Sequence, residues 1–213
     1  MELKKIFDDV VNGEIEAIEA EVPAALAEGV SPDVLLNQAL IPAMAEVGRL
    51  FEAKEYYIPE MLLSAQAMQT GLAFLRPLLT AGQSTSAGKA VFGTVKGDLH
   101  DIGKNLVIMM LEGAGFEVTD LGVDVHPDKF VQAVRDGAQV IGLSAMLTTT
   151  MPNMAVTIDA LKAAGVRDQV VVMVGGAPLT EAYAAEIGAD GFSANASAAV
   201  RRAKELLAAR QHA

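Results

Sequence analysis

Gly97-Asp98-Leu99-His100-Asp101-Ile102-Gly103 separates two apolar runs: Ala90-Val91-Phe92-Gly93-Thr94-Val95 before it and the stretch 102–111 after it. The first run is short and reads as a buried strand; the second is longer and reads as a helix. The seven residues between them form a strand-to-helix turn, the place where open α/β sheets keep their ligands. The turn holds one histidine with an aspartate two residues before it, and in extended backbone residues i and i+2 project to the same side. A carboxylate beside an imidazole fixes the tautomer and raises the basicity of the other nitrogen, which is how metal-ligating histidines are supported.

Strand signals recur downstream. Glu117 begins a further apolar-alternating run to Leu121, Val140-Ile141-Gly142-Leu143 and the β-branched run 170–174 are buried-strand runs, and Gly191-Phe192 is a short fifth. Amphipathic stretches at 127–137, 151–164 and 179–187, with a last helix near 196–210, separate them. Strands alternating with helices of this length imply a five-stranded parallel sheet covered on both faces, a Rossmann-like (flavodoxin-like) α/β domain. Three loops rich in glycine or hydroxyl groups then fall at carboxyl ends of strands: 97–103, Ser144-Ala145-Met146-Leu147-Thr148-Thr149-Thr150 and Gly175-Gly176-Ala177-Pro178. Each alone is ordinary turn chemistry; three on one edge beside an Asp-His pair favour a site for a large ligand.

The chain has no cysteine and three histidines, His100, His126 and His212. A protein-built zinc site needs three or four ligands, which these cannot supply: His212 sits at the C-terminus and His126 precedes Pro127 at a helix start. A lone histidine with an orienting aspartate fits a metal already held by a macrocycle and lacking an axial ligand, or else a loop histidine bonded to Asp98 for structure. A phosphate cradle fits less well, because the stretch matches neither dinucleotide-binding nor P-loop glycine spacing.

Residues 1–80 carry helical periodicity and almost no strand signal. Leu3, Ile6, Phe7 and Val10 form one face, closed by Asn12-Gly13. The stretch 14–27 is a second helix that Pro23 is expected to bend or interrupt. Ser31-Pro32 caps a long third helix running toward Phe51, with a kink at Pro42, and Ile58-Pro59 opens a fourth. Four apolar-faced helices predict a helical bundle over 1–80, a linker at 81–88 and the α/β domain over 89–213.

Asp98-x-His100-x-x-Gly103, followed by Ser144-x-Met146 and by Gly175-Gly176, resembles the cobalamin-binding signature of base-off/His-on corrinoid proteins, with Met146 where the family usually has leucine. Val47-Gly48-Arg49-Leu50-Phe51-Glu52 and Tyr56-Tyr57-Ile58-Pro59-Glu60 resemble the cap motif of methionine synthase and of the small corrinoid proteins of methyltransferase systems. The resemblance implies that His100 displaces the cofactor's own base as lower axial cobalt ligand, with Asp98 as its hydrogen-bonded partner and Thr150 extending the relay. It implies that Gly103, Ser144, Thr148, Gly175 and Gly176 line a slot for the displaced nucleotide tail, where glycines at 103, 142, 175 and 176 admit it. Asp101, Ile102, Met146 and Leu147 complete the cofactor contacts, and Tyr57, Ile58 and Met61 belong to a cap over the upper corrin face.

Composition narrows the function classes. A net charge of −11 argues against nucleic acid, and no apolar stretch is long enough for a membrane span, so the expectation is a soluble, cytoplasmic protein. The chain has no room for a substrate barrel of ~250 residues. The resemblance then implies a non-catalytic methyl carrier whose cobamide cycles between methyl-Co(III) and Co(I). Its implied partners are a substrate:corrinoid methyltransferase, a corrinoid:tetrahydropterin or thiol methyltransferase and a reductive activase. The alternatives are the cobalamin-binding subunit of an adenosylcobalamin mutase and a cobalamin-dependent sensor or regulator. The absence of tryptophan, and of any histidine before His100, weighs against the sensor.

Overall fold

A computed structural model describes residues 3–79 and 86–211. Contacts divide the chain into two compact units, residues 1–86 with 113–115 and residues 87–112 with 116–213. Most of the predicted linker, 81–85, lies outside the described residues, as does His212; Gly88 already belongs to the first strand.

The first unit is helical. Helix α1 (Leu3–Asn12) buries Ile6 and Val10 and ends where Gly13 takes φ +71°. Helix α2 (Ile15–Ala27) runs unbroken through Pro23. The carbonyl that proline leaves without a partner is that of Glu19, an exposed residue where water can replace the lost bond. Ser31 caps α3 (Pro32–Leu35), its Oγ accepting the Val34 N–H at 3.3 Å. The chain then continues as a π-helical turn, Leu36–Leu40, into α4 (Ile41–Glu52). The wide turn sits where Pro42 cannot donate to the preceding turn, and proline and π-helical turns are both features at which helices kink. Helix α5 (Ile58–Leu75) starts with the Glu60 carboxylate accepting the Tyr57 N–H at 3.0 Å, and buries Met61, Ala65, Met68, Leu72 and Leu75. The Tyr56 hydroxyl and Ser64 Oγ both donate to the Val11 carbonyl, tying the ends of α1 and α5 together.

The second unit is a five-stranded parallel sheet in the order β2-β1-β3-β4-β5. The strands are β1 (Gly88–Thr94), β2 (Phe116–Asp120), β3 (Val140–Ser144), β4 (Val171–Gly175) and β5 (Gly191–Phe192). Helices α6 (Ile102–Gly113), α7 (Pro127–Arg135), α8 (Pro152–Ala163), α9 (Glu181–Glu186) and α10 (Ala196–Gln211) connect or follow them. Alternate strand residues Val91, Ile141, Leu143, Val172 and Val174 pack with Phe130, Val134, Met154, Ile158 and Leu161 in one core. The intervening residues Ala90, Phe92, Val140, Val171 and Met173 are buried as well, so both faces of the sheet are covered and the strands read as continuous apolar runs.

The order 2-1-3-4-5 reverses direction between β1 and β3. Loops leaving the carboxyl ends of those strands diverge, and the crevice between them is where doubly wound sheets bind ligands. The loop after β1 carries Asp98 and His100; the loop after β3 carries 145–150.

Candidate functional site

Asp98 is fully buried at the switch point, and its carboxylate organises both loops. Oδ1 accepts the His100 N–H at 3.0 Å and faces His100 Nδ1 at 2.8 Å. Oδ2 accepts the Met146 and Leu147 N–H groups at 2.8 and 3.4 Å and the Thr150 hydroxyl at 2.5 Å. Burial by itself raises the pKa of this carboxyl. The bonds from Thr150, from the His100 and Met146 amides and from the His100 ring outweigh burial and hold it well below the usual carboxylate range.

An ionised Asp98 can only accept, so His100 Nδ1 carries the proton it donates. Nε2 is then the nitrogen left to bind a metal. The His100 side chain is 54% exposed, unlike the aspartate that holds it. Its backbone is fixed too: the buried Thr94 hydroxyl donates to the His100 carbonyl at 2.8 Å. Among the described residues no group of three or more histidine, aspartate or glutamate side chains could hold a metal ion. A metal here would therefore bring most of its ligands with it, as a macrocycle-bound cobalt does.

Large apolar side chains are left unburied on these two loops, at the start of α6 and on the loop after β2: Leu99 (71% exposed), Ile102 (77%), Met146, Leu147 and Val123. Leaving such residues in water is costly unless a broad apolar ligand covers them. Sequence reading named Ile102, Met146 and Leu147 and missed Leu99 and Val123. Their signal was their place on carboxyl-end loops, a property of the sheet order rather than of any motif. Ser144, Thr148, Gly175 and Gly176 lie on the same sheet edge, and Asp101 follows His100 at the start of α6, its carbonyl accepting the Asn105 N–H at 2.8 Å.

The glycines divide into two kinds. A Cβ on Gly103 would meet nothing within 4 Å, and one on Gly175 would meet only the Ser193 carbonyl at 3.6 Å. No protein atom requires glycine at either place, which fits a ligand passing close to the backbone. Gly176 is different: it has φ +139°, and a Cβ would lie 1.9 Å from the Ala145 carbonyl oxygen. Gly142 departs from expectation, because the room it leaves is filled by the Phe92 ring, 2.0 Å from a Cβ placed there. Ser193, whose carbonyl faces Gly175, has an Oγ that is buried without a hydrogen-bond partner among the described residues, a feature that no sequence pattern marked.

Other contacts hold the histidine loop from outside. The Asn153 amide donates to the Lys96 carbonyl at 2.7 Å, and the Asp124 carboxylate accepts the Gly97 N–H at 2.7 Å. The Lys104 ammonium, almost fully buried, bonds both Asp120 oxygens at 2.6–2.7 Å and Asn105 Oδ1 at 2.7 Å, fixing the start of α6 against the end of β2. His126 is a helix cap, its Nδ1 accepting the Asp128 N–H at 3.4 Å, as its place before Pro127 implied. In the helical unit Tyr57 and Ile58 are exposed (63% and 47%), whereas Met61 is buried. Of the three, the first two have the free surface that covering a ligand requires.

Comparison with known proteins identifies the family. A B12 binding domain family matches residues 88–202, and a second B12 binding domain family matches residues 2–76. The chain is 44% identical over 208 residues to dimethylamine corrinoid protein 1 of Methanosarcina acetivorans, covering 97% of both chains. A crystal structure of a cobalamin-binding protein from Desulfitobacterium hafniense superposes with a TM-score of 0.78 at 34% identity, over 96% of this chain and 98% of that one. A chain of the methanol:cobalamin methyltransferase complex MtaBC from Methanosarcina barkeri superposes with a TM-score of 0.87 at 27% identity, over 97% of this chain and 79% of that one. The chain belongs to the B12-binding corrinoid proteins, and its cofactor is cobalamin or a related cobamide.

Proposed function

We propose that the chain is a methyl carrier of a methylamine- or methanol-type methyltransferase system, holding its cobamide base-off with His100 Nε2 as the lower axial ligand. When bound, the cobamide supplies a cobalt ion that accepts a methyl group from one partner and yields it to another. The observation that carries the reading is the buried, ionised Asp98 fixing the Nδ1–H tautomer of a half-exposed His100 amid exposed apolar side chains.

Each residue has a task that its surroundings permit. Asp98 orients the imidazole and keeps its proton on Nδ1, and Thr150 keeps Asp98 ionised. Leu99, Ile102, Val123, Met146 and Leu147 exclude water from beneath the corrin. Gly103 and Gly175, with Ser144, Thr148 and Ser193, line the course of the nucleotide tail. Tyr57 and Ile58 belong to the surface that shields the upper face. Carrier proteins hold no substrate pocket of their own, so the partners are a substrate:corrinoid methyltransferase, an acceptor methyltransferase using a tetrahydropterin or thiol, and a reductive activase. The names of the similar proteins, a dimethylamine corrinoid protein and a methanol:cobalamin methyltransferase complex, support this partner class.

The reading is tested by loading the protein with a cobamide, reducing it to Co(I) with a chemical reductant under anaerobic conditions, and mixing it with a methylamine:corrinoid methyltransferase and its substrate. One methyl equivalent per bound cobamide is expected on the wild-type chain, and turnover only after the acceptor methyltransferase is added. Turnover by the carrier alone, with no partner present, would contradict the carrier role.

A further inference from the structure

Asp124 has no packing role and yet adopts a costly backbone. Its side chain is exposed, and it is one of two described non-glycine residues with left-handed backbone, at φ +52°. Aspartate tolerates that region when it gains local hydrogen bonds, and Asp124 gains two that both lead to the histidine loop. Its Oδ1 accepts the Gly97 N–H at 2.7 Å, and its own N–H donates to the Asp98 carbonyl at 2.9 Å. Val125 on its other side bridges Val95, its N–H donating to the Thr94 carbonyl at 2.9 Å. One residue thus grips the loop on both sides of the Gly97–Asp98 peptide. The turn it grips is tight: Gly97 has φ +83°, and the Asp98 N–H returns to the Val95 carbonyl.

We infer that Asp124 is a positioning residue for the axial histidine: by fixing the Gly97–Asp98 peptide it sets the direction of the Asp98 carboxylate, and through it the tautomer and aim of His100. Fixing the peptide removes backbone freedom that would let the aspartate turn away from Nδ1. This deepens the proposed axial role of His100 and rests on it. The Asp98–His100 geometry, however, exists before any cofactor binds, so the inference can be read without one.

The experiment compares full-length wild type with Asp124→Gly and Asp124→Asn. Glycine keeps the left-handed backbone and loses the acceptor; asparagine keeps both. Without cofactor, at a pH well above the ordinary imidazole range, ¹⁵N NMR of labelled histidine reads which ring nitrogen of His100 carries the proton. Wild type and Asp124→Asn should show Nδ1–H, and Asp124→Gly a mixture rich in Nε2–H. After loading with a Co(II) cobamide, electron paramagnetic resonance should show a ~10-fold smaller ratio of histidine-ligated to water-ligated cobalt in Asp124→Gly, with Asp124→Asn restoring it. If Asp124→Gly fails to fold, Asp124→Glu, which moves the oxygen by one methylene, takes its place in the comparison. A lower melting temperature with the Nδ1–H tautomer and ligation unchanged would overturn the inference. If the tautomer shifts as stated but even wild type shows no histidine ligation, positioning stands and the axial-ligand reading fails.

Discussion

Asp98 combines full burial with an ionised state, and the groups around it make that possible. Three backbone N–H groups, a hydroxyl and an imidazole N–H satisfy both oxygens, where an unpaired buried carboxylate would cost several kcal/mol. Asp98→Asn puts an amide NH₂ against these donors. It should lower unfolding free energy by about 1.5–3 kcal/mol in denaturant titrations and weaken cobamide affinity ~10–100-fold by equilibrium binding. Undiminished affinity would make the aspartate structural only. Gly103 gives the converse test. A Cβ there meets nothing, so Gly103→Ala should leave the cofactor-free protein as stable or more stable by about 0.5–1 kcal/mol while impairing cobamide binding. Gly142→Ala should do the opposite, destabilising the fold by at least about 1–3 kcal/mol because the Phe92 ring fills that space. Equal effects of the two substitutions on thermal melting would refute the distinction.

Elements explain what patterns could and could not foretell. Asp98, His100 and Gly103 were legible because strand, turn and helix are adjacent in sequence, and their chemistry is local. Asp124 on the loop after β2 and Asn153 in the first turn of α8 reach the same loop from other parts of the sequence, so only the strand order brings them there. Pro23 does not interrupt its helix, and Pro42 follows a π-helical turn, because sequence reveals a missing N–H but not whether water or a wider turn absorbs the loss. The helical unit hides a further feature. Asp9 on α1 has its carboxyl pushed up to about 6, chiefly by burial, then by a hydrogen bond and charge from Glu21 on α2, with Lys5 opposing. Asp9 Oδ2 and Glu21 Oε2 are both buried, and Lys5 pairs with Glu21. A carboxyl whose folded pKa lies above its unfolded value stabilises the fold below the unfolded pKa, and that stability is lost as pH rises through the folded one. The helical unit should therefore lose about 1–3 kcal/mol between pH ~4 and ~7. Asp9→Asn should flatten that limb in thermal melts across the range, and an unchanged slope would remove Asp9 as its cause.

At the scale of the whole molecule, the residues of the proposed site are contributed by both units of the chain. The parallel-sheet unit contains Asp98, His100, Thr150, Gly103 and Gly175, while the helical unit presents Tyr57 and Ile58. No helix among the described residues is long and apolar enough to cross a membrane. A fragment of residues 87–213 should keep cobamide binding, with bound Co(I) oxidising in air faster than in the full chain; equal oxidation rates would mean that the first unit does not shield the cofactor. The central claim is that a protein histidine, not the cofactor's own base, ligates the cobalt. Electron paramagnetic resonance of the Co(II)-cobamide-loaded chain, grown with ¹⁵N-histidine and unlabelled cofactor, tests this directly. The superhyperfine triplet of an axial ¹⁴N ligand should become a doublet, and His100→Ala should abolish it. A triplet that persists in the labelled protein would contradict the account.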